Sequence, residues 1–480
     1  MFGKSIKDEG LGELAYNYVR SVSQKNQYNP QLRANLEFLK SHRRESVLEA
    51  INRPREEFFG LYPIDKVRDF VYKNDSFTPR NMYLINPLYY FYYTYIVFRI
   101  ARLYSAADVD FSRENLSVYY SGHLDFAVDT MTQVATFASF DFSYSKFQKK
   151  RQDFFGRPAL RIDVKDFFSN IKVNRLVDEL RQQFGDMTEI KDLDYFFKHC
   201  EFQELPQLHY SIASSILSQF YLLKFDHLVQ NLLVRKNLHL VRFVDDMFLI
   251  HLNGETSDVV NNEILNEISS YLWSTNLTLN SSKTTALTAD EFAKGFEIPE
   301  YHLGGSTFSN TKIISEKAID LMTTGKFVNF IESLGTLERK SGLDVEGYKR
   351  LLSEYLEVNG DDANKVLRHI IFSRKWTLLK TNQLRKISAN WRYTFFDPPH
   401  LTVLYLMVCK FLENQGSGPN VGKGIRKMLS HLLRREYFTF RDSLLAVTYL
   451  FQRSFQQRDL ISRVNSVNPD YVSYLYKYVV

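Results

Sequence analysis

Three carboxylates carry the chemistry this sequence can do. Asp245 and Asp246 are adjacent within His239–Leu252, HLVRFVDDMFLIHL, and Asp163 lies near the end of an earlier apolar run, Ala159–Val164. Two neighbouring anions between hydrophobic runs repel each other and resist burial unless a cation compensates. Within that hairpin-like stretch alone, a metal site and an ordinary charged hairpin tip are equally good readings, because Asp also turns a chain by bonding its own backbone. Asp163 decides between them if its strand lies beside the hairpin. Three carboxylates would then meet at one sheet end, a donor set suited to a hard divalent cation such as Mg²⁺, with Mn²⁺ as the alternative. Two such ions can activate an attacking hydroxyl oxygen and stabilise the leaving one at phosphorus, which is nucleotidyl transfer.

The flanking elements must bring these acids together. Leu240–Val244 and Met247–Leu252 are rich in Val, Phe, Leu and Ile and predict the arms of a buried hairpin, with the acidic pair at its tip. Ala159–Val164 predicts a strand that turns out through Lys165–Asn170, and Val173, Leu176, Leu180 and Phe184 then keep helical spacing. Glu204–Leu222 predicts a turn and a helix whose first turns are rich in small residues, among them Ser211, Ala213, Ser214, Ser215 and Ser218. Asn262–Ser274 predicts a helix, and Leu277–Leu279 a short strand entering a turn, Asn280–Thr284, that presents Lys283. Tyr301–Gly305 reads as another tight turn. Upstream, residues 1–60 predict polar helices, and Asn86-Pro87 supplies the cap and first turn of an aromatic helix. A basic cluster, Lys146, Lys149, Lys150 and Arg151, follows it.

From about Ser315 the pattern becomes purely helical. Apolar-periodic segments cover Ile319–Leu334, Tyr348–Val358, Asn364–Ile371, Leu401–Leu412, Ile425–Leu433, Ser443–Phe451 and Tyr471–Tyr478. Stacked helical pairs are the simplest architecture for them. The chain has 480 residues with 44% apolar, enough for a large core and two or three domains. Three segments are expected: a helical stretch at 1–60, a mixed region at 61–310 and a basic all-helical region at 315–480. Net charge is +6, but Asn364–Val480 holds 19 Lys and Arg against 6 Asp and Glu. The earlier part therefore carries a net negative balance, and this asymmetry points to a polyphosphate partner. Cys200 and Cys409 lie far apart without metal-ligand spacing and read as reduced core residues of a cytoplasmic protein. The first residues, MFGKSIKDEGLGEL, lack an apolar signal region. Leu88–Phe98 is too short and too rich in tyrosine to span a membrane, so no membrane partner is expected.

The order of segments resembles the palm of reverse transcriptases. Arg161-Ile162-Asp163-Val164-Lys165-Asp166-Phe167-Phe168-Ser169 is similar to motif A, and Leu205-Pro206-Gln207 with its Ser-rich helix to motif B. Phe243-Val244-Asp245-Asp246 is similar to motif C, Leu279–Thr284 to motif D and, weakly, His302-Leu303-Gly304 to motif E. The resemblance spans about residues 140–305. It implies an α+β fold, with reverse-transcriptase-like fingers and palm (an antiparallel sheet with helices) followed by an all-α helical-repeat-like C-terminal domain. It also implies that Asp163, Asp245 and Asp246, with the Val164 carbonyl, hold two metals. Phe168 would lie against the sugar 2′ position and so favour deoxynucleoside triphosphates. Gln207 would lie near the incoming nucleotide or the primer–template, Lys283 would be the general acid, and Lys149, Lys150 and Arg151 are candidates to face the triphosphate, with a solvated basic loop the equal alternative.

The departures are also specific. Leu208-His209-Tyr210 stands where motif B continues with Gly, Phe243 stands where Tyr is commoner, and no thumb is recognisable after residue 305. This combination resembles the bacterial Abi reverse transcriptases, the AbiK-like and prophage-encoded polymerases of abortive infection. That likeness implies antiphage defence, a homo-oligomer (a trimer or hexamer) and untemplated DNA synthesis primed from a protein hydroxyl. Single-stranded DNA would then remain covalently attached. Tyr16, Tyr18, Tyr28, Tyr471, Tyr474, Tyr476 and Tyr478 are candidate primers. Two other readings stand beside it. One is an RNA-templated enzyme of the retron or defence-associated type, with RNA as partner. The other is a non-catalytic palm that only binds nucleic acid, which would have no use for clustered acids.

Overall fold

The computed structural model describes residues 10–25, 28–73, 76–107, 111–132, 134, 138, 140–254, 256–294, 311–357, 360–416, 421–453 and 455–480. The expected turn at Tyr301–Gly305 lies outside them. The fold is mixed α+β, with two small sheets and a helical C-terminal region. Two compact units divide the chain. The first takes Met1–Val67 and Met82–Glu297, and the second takes Arg68–Asn81 and Ile298–Tyr478. Arg68–Asn81, which the sequence reading kept with the mixed region, thus groups with the helical unit.

Among the described residues eight strands occur in chain order: β1 (Val67–Arg68), β2 (Met82–Leu84), β3 (Leu116–Tyr119), β4 (Ala159–Ile162), β5 (Gln207–Leu208), β6 (Leu238–Phe243), β7 (Asp246–His251) and β8 (Thr285–Leu287). Five of them form one sheet in the order β3-β6-β7-β4-β8, and β1-β2-β5 form the other. In the larger sheet β3 runs parallel to β6, whereas β6 with β7, β7 with β4 and β4 with β8 are antiparallel. Every residue of β6 and all but the first of β7 are buried. Burial on both faces needs cover on both, and two helices supply it. Helix Ile212–Arg235 pairs with the face that carries Arg242, and helix Phe140–Gln152 packs on the face that carries Phe243.

Helix Pro87–Ala106 runs through the core of the first unit. Its Asn86 side chain accepts the Leu88 N–H at 2.9 Å and Pro87 fills the first turn, the expected cap. Buried tyrosines are tolerated there because their hydroxyls find partners. Tyr89 donates to the Tyr62 carbonyl at 2.9 Å and Tyr90 to the His209 carbonyl at 2.7 Å, while the Tyr93 hydroxyl lies 3.1 Å from that of Ser214. Cys200 is buried in this unit, and desolvation pushes its thiol up to about 12.

The second unit is helical among its described residues from Thr311 onward. Ile319–Leu334, read as one periodic segment, is two helices, Thr311–Thr323 and Lys326–Ser341, parted at Gly325 with φ +76°. A left-handed residue stops a helix, and glycine adopts it at least cost. Helices Thr381–Ala389 and Arg458–Asn465 were not legible, because each buries only two or three apolar side chains. No helix among the described residues is long and apolar enough to cross a membrane.

Candidate active site

The β6–β7 connection is a two-residue hairpin, with Phe243 paired to Asp246 and Val244-Asp245 between them. The acidic pair therefore straddles the turn: Asp245 is in it, and Asp246 opens β7. Val244 has φ +54° and Asp245 is not among the positive-φ residues, the pattern of a type II′ turn. That position favours glycine, and a β-branched residue in it is strained. Both backbone groups of Val244 are tied down. Its N–H donates to the Tyr119 carbonyl on β3 at 3.1 Å, and its carbonyl accepts from Arg242 Nη1 at 3.3 Å. Arg242 is itself fully buried and forms a bidentate pair with buried Asp226, whose Nε–Oδ1 arm is 2.9 Å. Buried charges persist when paired and hydrogen-bonded. An arginine inside the apolar run LHLVRF was the sequence signal for this clamp, and the sequence reading passed over it.

Asp163 reaches the hairpin through strand pairing. Ile162 pairs with Met247, the last pair of that ladder, so Asp163 and Asp246 are each the residue next beyond it. Beyond the strand, Val164 bridges Leu279; Asn280 N–H donates to the Asp163 carbonyl at 2.9 Å, and Lys165 N–H to the Thr278 carbonyl at 2.8 Å. In that pattern the N–H and carbonyl of Val164 point away from Leu279, toward the β7 side. Asn280 also holds the side chain: its Nδ2 donates to Asp163 Oδ2 at 2.7 Å, while its own Oδ1 accepts the Ser282 hydroxyl at 2.8 Å. The turn closes with Lys283 N–H donating to the Asn280 carbonyl at 3.1 Å, which leaves the Lys283 side chain exposed on the loop that grips Asp163. Asp246 Oδ1 lies 4.0 Å from Arg161 Nη2, both side chains partly open to solvent, a pairing of little energetic weight.

The donor chemistry fits a hard divalent cation, with three carboxylates from the end of one sheet and a backbone carbonyl turned to the hairpin side. Among the described residues no three His, Cys, Asp or Glu side chains are grouped so that they could hold a metal ion by themselves. Asp163 is held by Asn280 and Asp246 faces Arg161. Mg²⁺ takes few protein carboxylates and completes its shell with water and substrate phosphates, so a closed protein cage is not required.

The remaining sequence candidates fall as follows. Phe168 is half-buried in the short helix Phe167–Asn170, its ring edge-on to Phe167 with centroids 5.2 Å apart. Gln207 is half-buried in β5 opposite Met82. The chain after it is pinned: Tyr18 donates to the Tyr210 carbonyl at 3.1 Å, and Tyr210 has φ +55°. Lys149 is exposed, and Lys150 is partly exposed and pairs with Asp153 at 3.1 Å. Arg151 differs from the expectation of a triphosphate ligand. It is buried, its guanidinium 3.9 Å from the Phe248 ring centroid and bonded to Gln148 at 2.9 Å, because helix Phe140–Gln152 lies down on the sheet instead of projecting from it. Of the candidate primers, Tyr16, Tyr18, Tyr471 and Tyr474 are buried, Tyr478 is half-buried, and Tyr28 and Tyr476 are exposed. Tyr437, which sequence reasoning did not single out, is 79% exposed.

Comparison with known proteins adds little. Residues 319–478 match a family described as Domain of unknown function (DUF8609). No curated protein matches. Among solved structures, a telomerase from Candida albicans in complex with a fragment of telomeric RNA aligns at 13% identity and a TM-score of 0.27, over 68% of this chain and 55% of that one. The chain thus spans about half the telomerase chain, and so low a score assigns no fold.

Proposed function

We propose that this chain is a nucleotidyltransferase of reverse-transcriptase type that makes DNA. In this reading it works without a template and primes from one of its own tyrosine hydroxyls, as an antiphage abortive-infection enzyme. The observation that carries the proposal is the antiparallel pairing of β4 with β7, whose last pair, Ile162 with Met247, is followed directly by Asp163 on one strand and by Asp246 and the strained Val244-Asp245 turn on the other. The motif order in the sequence supports the same reading. Asp163, Asp245, Asp246 and the Val164 carbonyl would hold two Mg²⁺ ions, which supply charge neutralisation and activation of the attacking hydroxyl.

The chain's own groups do the rest. A tyrosine oxygen bonds to the α-phosphorus of a deoxynucleoside triphosphate, the bond to the β-phosphate oxygen breaks, and pyrophosphate leaves as the phenolic proton is lost. Lys283, on the loop that grips Asp163, gives a proton to the pyrophosphate. Phe168 closes the space beside the sugar 2′ carbon, and the exposed ammonium group of Lys149 meets the triphosphate, with partly exposed Lys150 joining it from its ion pair with Asp153. The test is purified protein with Mg²⁺ and one labelled deoxynucleotide at a time, without added template or primer. Label that stays with the polypeptide through denaturation is the expected result. Incorporation only when RNA is added would replace this reading with a templated one.

A further inference from the structure

Helix Val421–Leu433 carries a row of cations that the active-site chemistry does not use. Lys423, Arg426, Lys427 and Arg434 are all exposed, and at 100° per residue they share one face of the helix, which the Arg434 N–H extends by donating to the Ser430 carbonyl at 3.1 Å. None of the four makes an ion pair with a described residue. No Asp or Glu occurs between Val421 and Arg435 to neutralise them. The opposite face, Ile425, Met428 and Leu432, is buried in the helical unit. The row runs about 16 Å, roughly two screening lengths at physiological salt, so the four charges act on one polyanion together. Just past its end stands Tyr437, 79% exposed, an aromatic face with no place in the core.

We propose that this face, Lys423, Arg426, Lys427 and Arg434, together with exposed Tyr437 in the bend that follows the helix, binds single-stranded DNA. The choice of DNA rests on the polymerase reading above; the choice of a single strand rests on the surface itself. Cations in a row meet backbone phosphates, and an exposed ring offers a stacking platform that only an unpaired base can use. A membrane is the poorer occupant, because a basic helix that enters a bilayer needs a free apolar face and this one is already buried.

The test uses the full chain carrying Asp245→Ala, so that it makes no DNA of its own, and a fluorescein-labelled oligothymidylate of about twenty nucleotides read by fluorescence anisotropy. Each neutralised phosphate contributes about 0.7 to the slope of log affinity against log salt for a single strand, so four contacts contribute about 2.8. The quadruple variant Lys423→Gln, Arg426→Gln, Lys427→Gln, Arg434→Gln should lose that slope. Between 50 and 200 mM salt the starting chain should therefore weaken roughly fiftyfold more than the variant does. Tyr437→Ala should weaken binding roughly tenfold with the slope unchanged. All five side chains are exposed, so an unaltered melting temperature is expected and is measured alongside. An unchanged salt slope in the quadruple variant overturns the proposal. So does an RNA of the same length binding more than tenfold tighter, or anionic vesicles competing the oligomer away. The polymerase reading fails separately, if Asp245→Ala still incorporates nucleotide.

Discussion

Replacing Arg242 by Met should cost this chain heavily in stability, whereas replacing Arg242 and Asp226 together should not, and the difference isolates what the buried pair does for the turn above it. Both side chains are sealed from water, at 0% and 3% exposure. Removing one partner strands a buried charge, a loss of about 3–5 kcal/mol, while exchanging both for apolar side chains of similar size is about neutral. The double variant Arg242→Met/Asp226→Leu keeps the packing but removes the donor to the Val244 carbonyl. A strained backbone residue of this kind stores about 1–3 kcal/mol and stays in place only while its surroundings hold it. Released, Val244 would relax and Asp245 would move with it. If that strain reappears in the barrier, incorporation falls roughly five- to hundredfold. Urea unfolding gives the stability, and single-nucleotide incorporation gives the rate. A double variant with native stability and native rate would falsify the positioning role and leave the pair a packing device.

Three further outcomes are expected. Asn280→Ala removes the 2.7 Å bond to the Asp163 carboxylate, a charge-assisted contact of about 1.5–3 kcal/mol, so the turnover rate should drop roughly ten- to hundredfold while circular dichroism stays unchanged. Burial, reinforced by nearby Lys150, lowers the His239 imidazole to about 4, where it is neutral and bonded to Ser117. The unfolded chain then binds the extra proton first, so stability is complete above about pH 6.5 and declines as pH falls toward 4, by up to about 1.4 kcal/mol per pH unit. His239→Phe should flatten that part of the urea-midpoint profile, and an unchanged slope would assign it to other groups. Peptide mapping of nucleotide-modified protein should find the adduct on an exposed hydroxyl, at Tyr28, Tyr437 or Tyr476, and an adduct at buried Tyr16 or Tyr471 would require local opening.

Much of the fold was legible because hydrophobic period sets local structure. The strand at Ala159, the helix Val173–Phe184 and both hairpin arms lie where alternation and helical spacing put them. What escaped depends on contacts between distant segments. Arg151 sits in a basic run that reads as solvated, yet rings from two later elements, Phe248 and Phe292, draw its guanidinium into the core. Asn280 looks like an ordinary turn residue until the bridge between Val164 and Leu279 places it against Asp163, 117 positions away. The acidic pair was placed at a turn, but register alone decides that the strained residue is Val244 and that Asp246 already belongs to β7. The break at Gly325 was hidden because the apolar period continues across it.

The most direct test of the central proposal is the intact mass of the denatured, purified chain after incubation with Mg²⁺ and a single deoxynucleoside triphosphate. Mass additions in whole nucleotide steps, absent from Asp163→Ala and Asp245→Ala, are the predicted result. An unmodified chain, or the same ladder in either variant, would contradict it.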